Sequence, residues 1–224
     1  MSNNRDFDVI FFDCDSTLSK VEGIDELAIR AGVAEELVPL TNAAMEGSIP
    51  LQDIYRKRLE LIRPDQDALN WVSQRYVDQM VEGATEVVSE LIKQGRSVHI
   101  ISGGLRQAVL SVGIFLGIPD GQVHAVDINF DEQGNYAGFD EQSPLARAGG
   151  KAEICRKVLS QNHGNAALIG DGVTDLEAAE AGVYVIGFGG VARREAVVQG
   201  ASAYVDGPAL SPVLDLLRKR INEG

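Results

Sequence analysis

The chain has 224 residues, of which 45% are apolar and 24% charged, and a formal net charge of −13. That length supports one domain with a large insertion, or two small domains, with an ample core. The negative balance argues against nucleic acid or an anionic membrane as a partner. Cys14 and Cys155 are far apart in no paired spacing, so neither zinc nor a disulfide framework is expected.

Met1 to Asp6 has no apolar core of the kind a signal peptide carries, and no apolar run approaches membrane-spanning length. A soluble, cytoplasmic protein is the expectation. Val9-Ile10-Phe11-Phe12 is short, β-branched and aromatic, and reads as a buried strand. Asp13-Cys14-Asp15-Ser16-Thr17 follows at its end. Two carboxylates two residues apart can converge on one cation, and a buried carboxylate pair needs such a counter-charge. Mg²⁺ takes one or two carboxylates and accepts phosphate oxygens, which suggests metal-assisted phosphoryl transfer with a carboxylate as candidate nucleophile. An EF-hand loop begins in the same way. It would need Asp or Asn at Thr17, Gly at Leu18 and Glu at Ile24, and all three fail.

After Thr17 the pattern turns helical as far as Met80. One helix around Asp25 to Arg30 ends at Gly32, and a second, Glu35 to Glu46, ends at Gly47. Pro50 opens a third, with Leu51, Ile54, Tyr55, Arg58, Leu59 and Ile62 at i, i+3, i+4 spacing. Pro64 stops it, and a fourth runs from Asp65 to Met80. Strand and helix then alternate. Ala84 to Lys93 is a helix, and Ser97 to Ile101 a strand followed by Ser102-Gly103-Gly104. Leu105 to Leu116 is an apolar helix packed under the sheet, and Val123 to Val126 a short strand. Asn129 to Phe139 reads as a hairpin around Gln133-Gly134-Asn135. Gly149-Gly150-Lys151 opens a helix, and the strand Ala166 to Ile169 ends in Gly170-Asp171-Gly172-Val173-Thr174-Asp175. A helix, the strand Val183 to Ile186, a glycine-rich turn, a strand near Tyr204 and a last helix finish the chain. This alternation predicts an α/β fold with a mostly parallel sheet.

Ligands of open α/β sheets bind outside the carboxyl ends of the strands. Three strands here end in chemically pointed loops, and Lys151 starts a helix after two glycines. Singly, each has a bland reading: a turn, a helix cap, a solvated lysine. Together they would be four accidents on one sheet edge. The ordered set Asp13-x-Asp15-Ser16-Thr17, Ser102-Gly103-Gly104, Lys151 and Gly170-Asp171-Gly172-x-Thr174-Asp175 resembles the four motifs of the haloacid dehalogenase superfamily. The likeness extends to Glu22 to Ala28, Ala44-Met45-Glu46-Gly47, Arg58-Leu59, Tyr136 to Glu141 and Gly187-Phe188-Gly189-Gly190. It is similar above all to the branch that acts on a phosphorylated amino acid.

The resemblance implies a Rossmann-like three-layer core, residues 1–18 and 81–224, with a helical cap, residues 19–80, inserted after the first motif. It implies Mg²⁺-dependent hydrolysis of a small phosphomonoester, O-phospho-L-serine, in a monomer or homodimer. Asp13 would be the nucleophile and Asp15 the general acid and base, with Ser102, Gly103 and Lys151 on the phosphoryl oxygens. Mg²⁺ would be held by Asp13, Asp171 and the Asp15 carbonyl, with Asp175 behind them. Glu22 would meet the substrate ammonium and Arg58 its carboxylate, with Met45 and Thr174 beside the substrate. Helical spacing favours Arg58 over Arg56, because Arg58 falls beside Ile54 on the apolar side. Where the family carries Asn-Arg, this chain has Val126-Asp127. Other readings are a phosphatase of the same family acting on another phosphomonoester, a non-catalytic phospholigand-binding module, and a dinucleotide site at Gly187-Phe188-Gly189-Gly190-Val191-Ala192.

Overall fold

The computed structural model describes residues 7–45, 48, 51–162 and 164–219. The chain opens with β1 (Phe7–Phe12), then four helices with no strand between them: α1 (Gly23–Ala31), α2 (Ala34–Met45), α3 (Leu51–Ile62) and α4 (Gln66–Asp78). Next come α5 (Ala84–Lys93), β2 (Ser97–Leu105), α6 (Arg106–Leu116), β3 (Val123–Val126), β4 (Ile128–Phe130) and β5 (Tyr136–Phe139). The rest is α7 (Gly150–Gln161), β6 (Asn165–Gly170), α8 (Val173–Leu176), β7 (Tyr184–Phe188), α9 (Glu195–Gly200), β8 (Ala203–Val205) and α10 (Pro212–Lys219). Gly47 and Pro50, expected to stop one helix and open the next, lie outside the described residues.

The six-stranded sheet has the order β3-β2-β1-β6-β7-β8 and is parallel throughout. β1 is central because Val9, Ile10, Phe11 and Phe12 are all buried, so both of its faces need covering. The order reverses between β1 and β6, which is where a doubly wound sheet opens a crevice at its carboxyl edge. β4 and β5 form a separate antiparallel hairpin.

Two expectations needed correction. Ser102-Gly103-Gly104 is not a turn after the strand. β2 continues to Leu105, which pairs with Val126 after a register break that begins at Ile101. The break takes Ser102 to Gly104 out of regular pairing and leaves their polar groups for other partners. Nor is α6 wholly covered: Ala108, Val109 and Val112 are buried, whereas Ile114 is 71% and Phe115 51% exposed. Between β7 and β8 the chain also forms the short helix α9, which the glycine-rich turn there does not signal.

The four helices after β1 are joined to the rest by two paired segments. Lys20 N–H donates to the Gln79 carbonyl at 2.8 Å and Val81 N–H to that of Leu18 at 2.9 Å, around an antiparallel bridge between Ser19 and Met80. α4 also packs along α6, where the Ser111 hydroxyl donates to the Ser73 carbonyl at 3.1 Å.

Away from that edge, the His99 and His124 rings stack at 5.4 Å, with Nδ1 of His99 3.1 Å from Nε2 of His124. Burial, and for His99 the neighbouring His124, pulls both pKa values down to about 4; Lys157 and Arg106 add to the effect on His124. Each imidazole is therefore favoured neutral in the fold. Their contribution to stability is present above the unfolded value of about 6.5 and is lost as pH falls from there through about 4. Thermal melts should show a midpoint dropping across that window, with a shallower drop in His124→Gln. An unchanged slope would remove the pair as the cause.

Candidate active site

Asp13 follows the last residue of β1, and its N–H donates to the Ile169 carbonyl of β6 at 2.9 Å. That bond fixes the first carboxylate at the switch point. Asp13 Oδ1 accepts from the Cys14 N–H at 2.8 Å, and Oδ2 lies 3.0 Å from Lys151 Nζ. Lys151 comes from the first turn of α7 and reaches Asp175 Oδ1 at 2.5 Å. Asp175 Oδ2 accepts from the Gly172 N–H at 2.9 Å, so one carboxylate holds both the lysine and the loop after β6. All three charged side chains are buried.

Asp15 is held by three donors. Oδ1 accepts from the Tyr76 hydroxyl at 2.6 Å and from the Gly23 N–H at 2.7 Å, and Oδ2 accepts from the Ser102 hydroxyl at 3.1 Å. Ser102 Oγ in turn accepts from the Gly104 N–H at 2.9 Å, which uses the segment freed by the register break in β2. Tyr55 of α3 donates to the Gly103 carbonyl at 2.9 Å.

Asp171 is buried beneath this edge, accepting from the Thr17 hydroxyl at 3.2 Å and ion-paired with Arg194. Arg194 also lies 3.7 Å from Glu22 Oε1, which accepts from the Ser16 hydroxyl at 2.7 Å. Oxygens of Asp13, Asp171 and Asp175 lie within 4.8 Å of one another.

The electrostatics follow from burial and crowding. Burial pushes the Asp13 carboxyl well up; Lys151 opposes this, while Asp175, Asp171 and Asp15 reinforce it. Burial and then Glu22 do the same to Asp171 against the pull of Arg194. Glu22 is raised to about 8, by burial first and Asp15 second. Burial alone would lower Lys151, but Asp13 and Asp175 outweigh it and hold its proton on. Five carboxylates thus crowd round two cations, Lys151 and Arg194. A divalent cation fits this donor set, because it would supply the missing positive charge where Asp13 and Asp171 resist ionisation.

A cavity of about 780 Å³, counting space open at its mouth, is lined by Asp13, Asp15, Ser102 and Lys151. Glu22, Arg58, Gly103 and Thr174 also line it, whereas Asp171 and Asp175 do not. Arg58 is 3% exposed and lies over the Tyr55 ring at 5.5 Å, while Arg56 points outward to Glu141. Met45 ends α2, and its side chain is outside the described residues. Val126 is buried in β3 and Asp127 is exposed, and neither lines the cavity.

The sequence reading missed Tyr55, Tyr76 and Arg194. The helical spacing puts Tyr55 on the apolar stripe of its helix, but nothing local marks its hydroxyl for Gly103. The dinucleotide reading fails on geometry. A Cβ on Gly189 would meet the Tyr204 hydroxyl at 2.1 Å, and no helix begins until Glu195. The glycines accept a tyrosine ring rather than a pyrophosphate.

A model of the haloacid dehalogenase-like hydrolases matches residues 7–182. The chain is 39% identical over 199 residues to the phosphoserine phosphatase of Mus musculus, covering 88% of each chain. Its fold is similar to that of a phosphoserine phosphohydrolase-like protein from Francisella tularensis, with a TM-score of 0.85, 25% identity and coverage of 94% of this chain and 99% of the other. A substrate-bound phosphoserine phosphatase complex superposes with a TM-score of 0.82 at 26% identity, covering 95% of this chain and 99% of that one. Among the described residues no helix is long and apolar enough to cross a membrane. With a family match across most of its length and relatives covering nearly nine-tenths of it, this chain belongs to the haloacid dehalogenase-like hydrolases.

Proposed function

We propose that the protein hydrolyses O-phospho-L-serine to serine and phosphate through an aspartyl-phosphate on Asp13. The observation that carries this reading is that Asp13, Asp15, Ser102 and Lys151 line one cavity together with Glu22 and Arg58. An Asp13 oxygen attacks phosphorus, and the ester P–O bond breaks as Asp15 delivers its proton to the serine oxygen. Asp15 then takes a proton from water, the water oxygen attacks phosphorus, and the bond to Asp13 breaks. Lys151, Ser102 and the Gly103 N–H meet the charge on the phosphoryl oxygens. Thr174, on the cavity wall, would lie beside the substrate, and the family resemblance assigns Met45 there too. Mg²⁺, held by Asp13, Asp171 and the Asp15 carbonyl with Asp175 behind, would neutralise phosphoryl charge.

Glu22 takes the substrate ammonium, which favours its charged form and competes with Arg194 for it. Arg58 takes the carboxylate, for which its fork is suited. The test is a panel of small phosphomonoesters assayed with and without Mg²⁺. Phosphoserine should be the best substrate, and chelation should abolish turnover. If a sugar phosphate is turned over as well, the phosphatase chemistry stands and the substrate assignment falls.

We also assign residues 19–80 as a cap on a core of residues 1–18 and 81–224, joined to it at the paired segments around Ser19 and Met80. Because α4 is fastened to α6, the moving part is α1 to α3. Closure would exclude bulk water from the aspartyl-phosphate. Amide exchange in residues 24–62 should slow when a phosphate analogue and Mg²⁺ are added. Unchanged exchange there, with binding shown by another signal, would sink the lid.

A further inference from the structure

The geometry points to Tyr76 as a positioning residue that fixes the orientation of the Asp15 carboxyl group. This rests on the assignment of Asp15 as general acid and base, and adds a residue outside the four motifs.

Asp15 Oδ1 accepts from two donors, the Tyr76 hydroxyl at 2.6 Å and the Gly23 N–H at 2.7 Å. Oδ2 accepts from the Ser102 hydroxyl at 3.1 Å. With Oδ1 held between two donors and Oδ2 on Ser102, the carboxyl group is fixed in one setting.

The hydroxyl is also anchored. Tyr76 is 1% exposed, its carbonyl accepts from the Ser19 hydroxyl at 3.0 Å, and its helix is tied to α6. A Cβ on Gly23 would meet the Tyr76 hydroxyl at 2.0 Å, so the contact requires glycine there. Because α4 is the fixed helix, the Tyr76 contact to Asp15 persists when α1 to α3 move, whereas the Gly23 contact travels with α1. A site built on a rigid element holds its reacting atom more closely than one built on a moving lid.

A tyrosine that merely filled the core would contribute equally to every substrate. A positioning residue matters only where a proton must be delivered. The serine alkoxide needs one, whereas the acetate released from acetyl phosphate, a smaller substrate, leaves as the anion. First-turnover rates by rapid quench on the Mg²⁺-loaded full chain separate the two roles. Tyr76→Phe should slow the first turnover of phosphoserine by roughly 10- to 100-fold, with KM changed less than about twofold. Acetyl phosphate should change by less than about twofold in the same step. Gly23→Ala, which pushes the hydroxyl away without removing it, should give the same split and carries the test if Tyr76→Phe does not fold. Equal losses on both substrates, or no loss on either, overturn the proposal. Asp15→Asn is the control. If it spares phosphoserine, the acid assignment itself falls. If it shows the split while Tyr76→Phe and Gly23→Ala do not, the role of Tyr76 alone falls.

Discussion

Asp13→Asn should abolish phosphoserine hydrolysis, by roughly 10⁴-fold or more, while raising the thermal midpoint of the metal-free protein at neutral pH. The amide cannot attack phosphorus, and nothing else at the end of β1 replaces it. The gain in stability has a separate cause. Burial raises the Asp13 carboxyl, with Asp175, Asp171 and Asp15 reinforcing the rise and the Lys151 pair too weak to cancel it. A raised folded-state value means that this carboxyl contributes stability below its unfolded value of about 4, and that the contribution is lost as pH climbs toward the folded one. An amide of the same shape does not titrate. Melts in chelator should therefore show little difference near pH 4 and a gain of a few degrees near pH 7, where about 1 kcal/mol is 2–4 °C for a chain of this size. Mg²⁺ should raise the midpoint of the wild type more than that of the variant. Near-normal turnover in Asp13→Asn would end the nucleophile assignment. Equal midpoints at pH 7 would mean that Lys151 already compensates the cluster.

The parts of this site that are legible in the sequence are those set by chain-local physics. A short apolar run must be buried, so the carboxylates that follow it sit at the end of a strand. Strand–helix alternation then places Asp171 on the same edge as Asp13. Arg58 could be preferred to Arg56 because four residues separate it from Ile54 on one helical face, and the two arginines do differ in this way: Arg58 is buried and Arg56 is exposed. What could not be read depends on partners far away in the chain. Tyr76 meets Asp15 across 61 positions, and Arg194 meets Asp171 across 23. Neither pair leaves a periodic trace. The extension of β2 through Gly104 comes from pairing between Leu105 and Val126, a tertiary contact that overrides the glycines' local preference for a turn. Ile114 and Phe115 show the opposite limit, because hydropathy marks a helix as apolar without saying which of its faces the fold covers.

Removing the Arg58 guanidinium should cost phosphoserine far more than a substrate that lacks the carboxylate. Arg58 is 3% exposed, and burial lowers its pKa from the ordinary arginine value, so its charge sits where water solvates it poorly. The face of Tyr55 lies 5.5 Å from it, and that ring is pinned through its hydroxyl to the Gly103 carbonyl, next to Ser102. With the Tyr55 contact made, the guanidinium is held toward the Gly103 segment, and a substrate carboxylate can meet it in two parallel hydrogen bonds. Losing such a charged contact at a desolvated site costs roughly a hundredfold or more in kcat/KM. Wild-type enzyme should prefer phosphoserine over phosphoethanolamine by about that factor. Arg58→Ala should lower kcat/KM for phosphoserine to near the phosphoethanolamine level, leaving phosphoethanolamine within severalfold of its starting value. Arg56→Ala is the matched control, because Arg56 reaches out to Glu141 at 2.5 Å with half of its side chain exposed, and turnover should hardly change. If Arg58→Ala weakens both substrates alike, Arg58 supports the fold of the cavity wall and the carboxylate is read elsewhere.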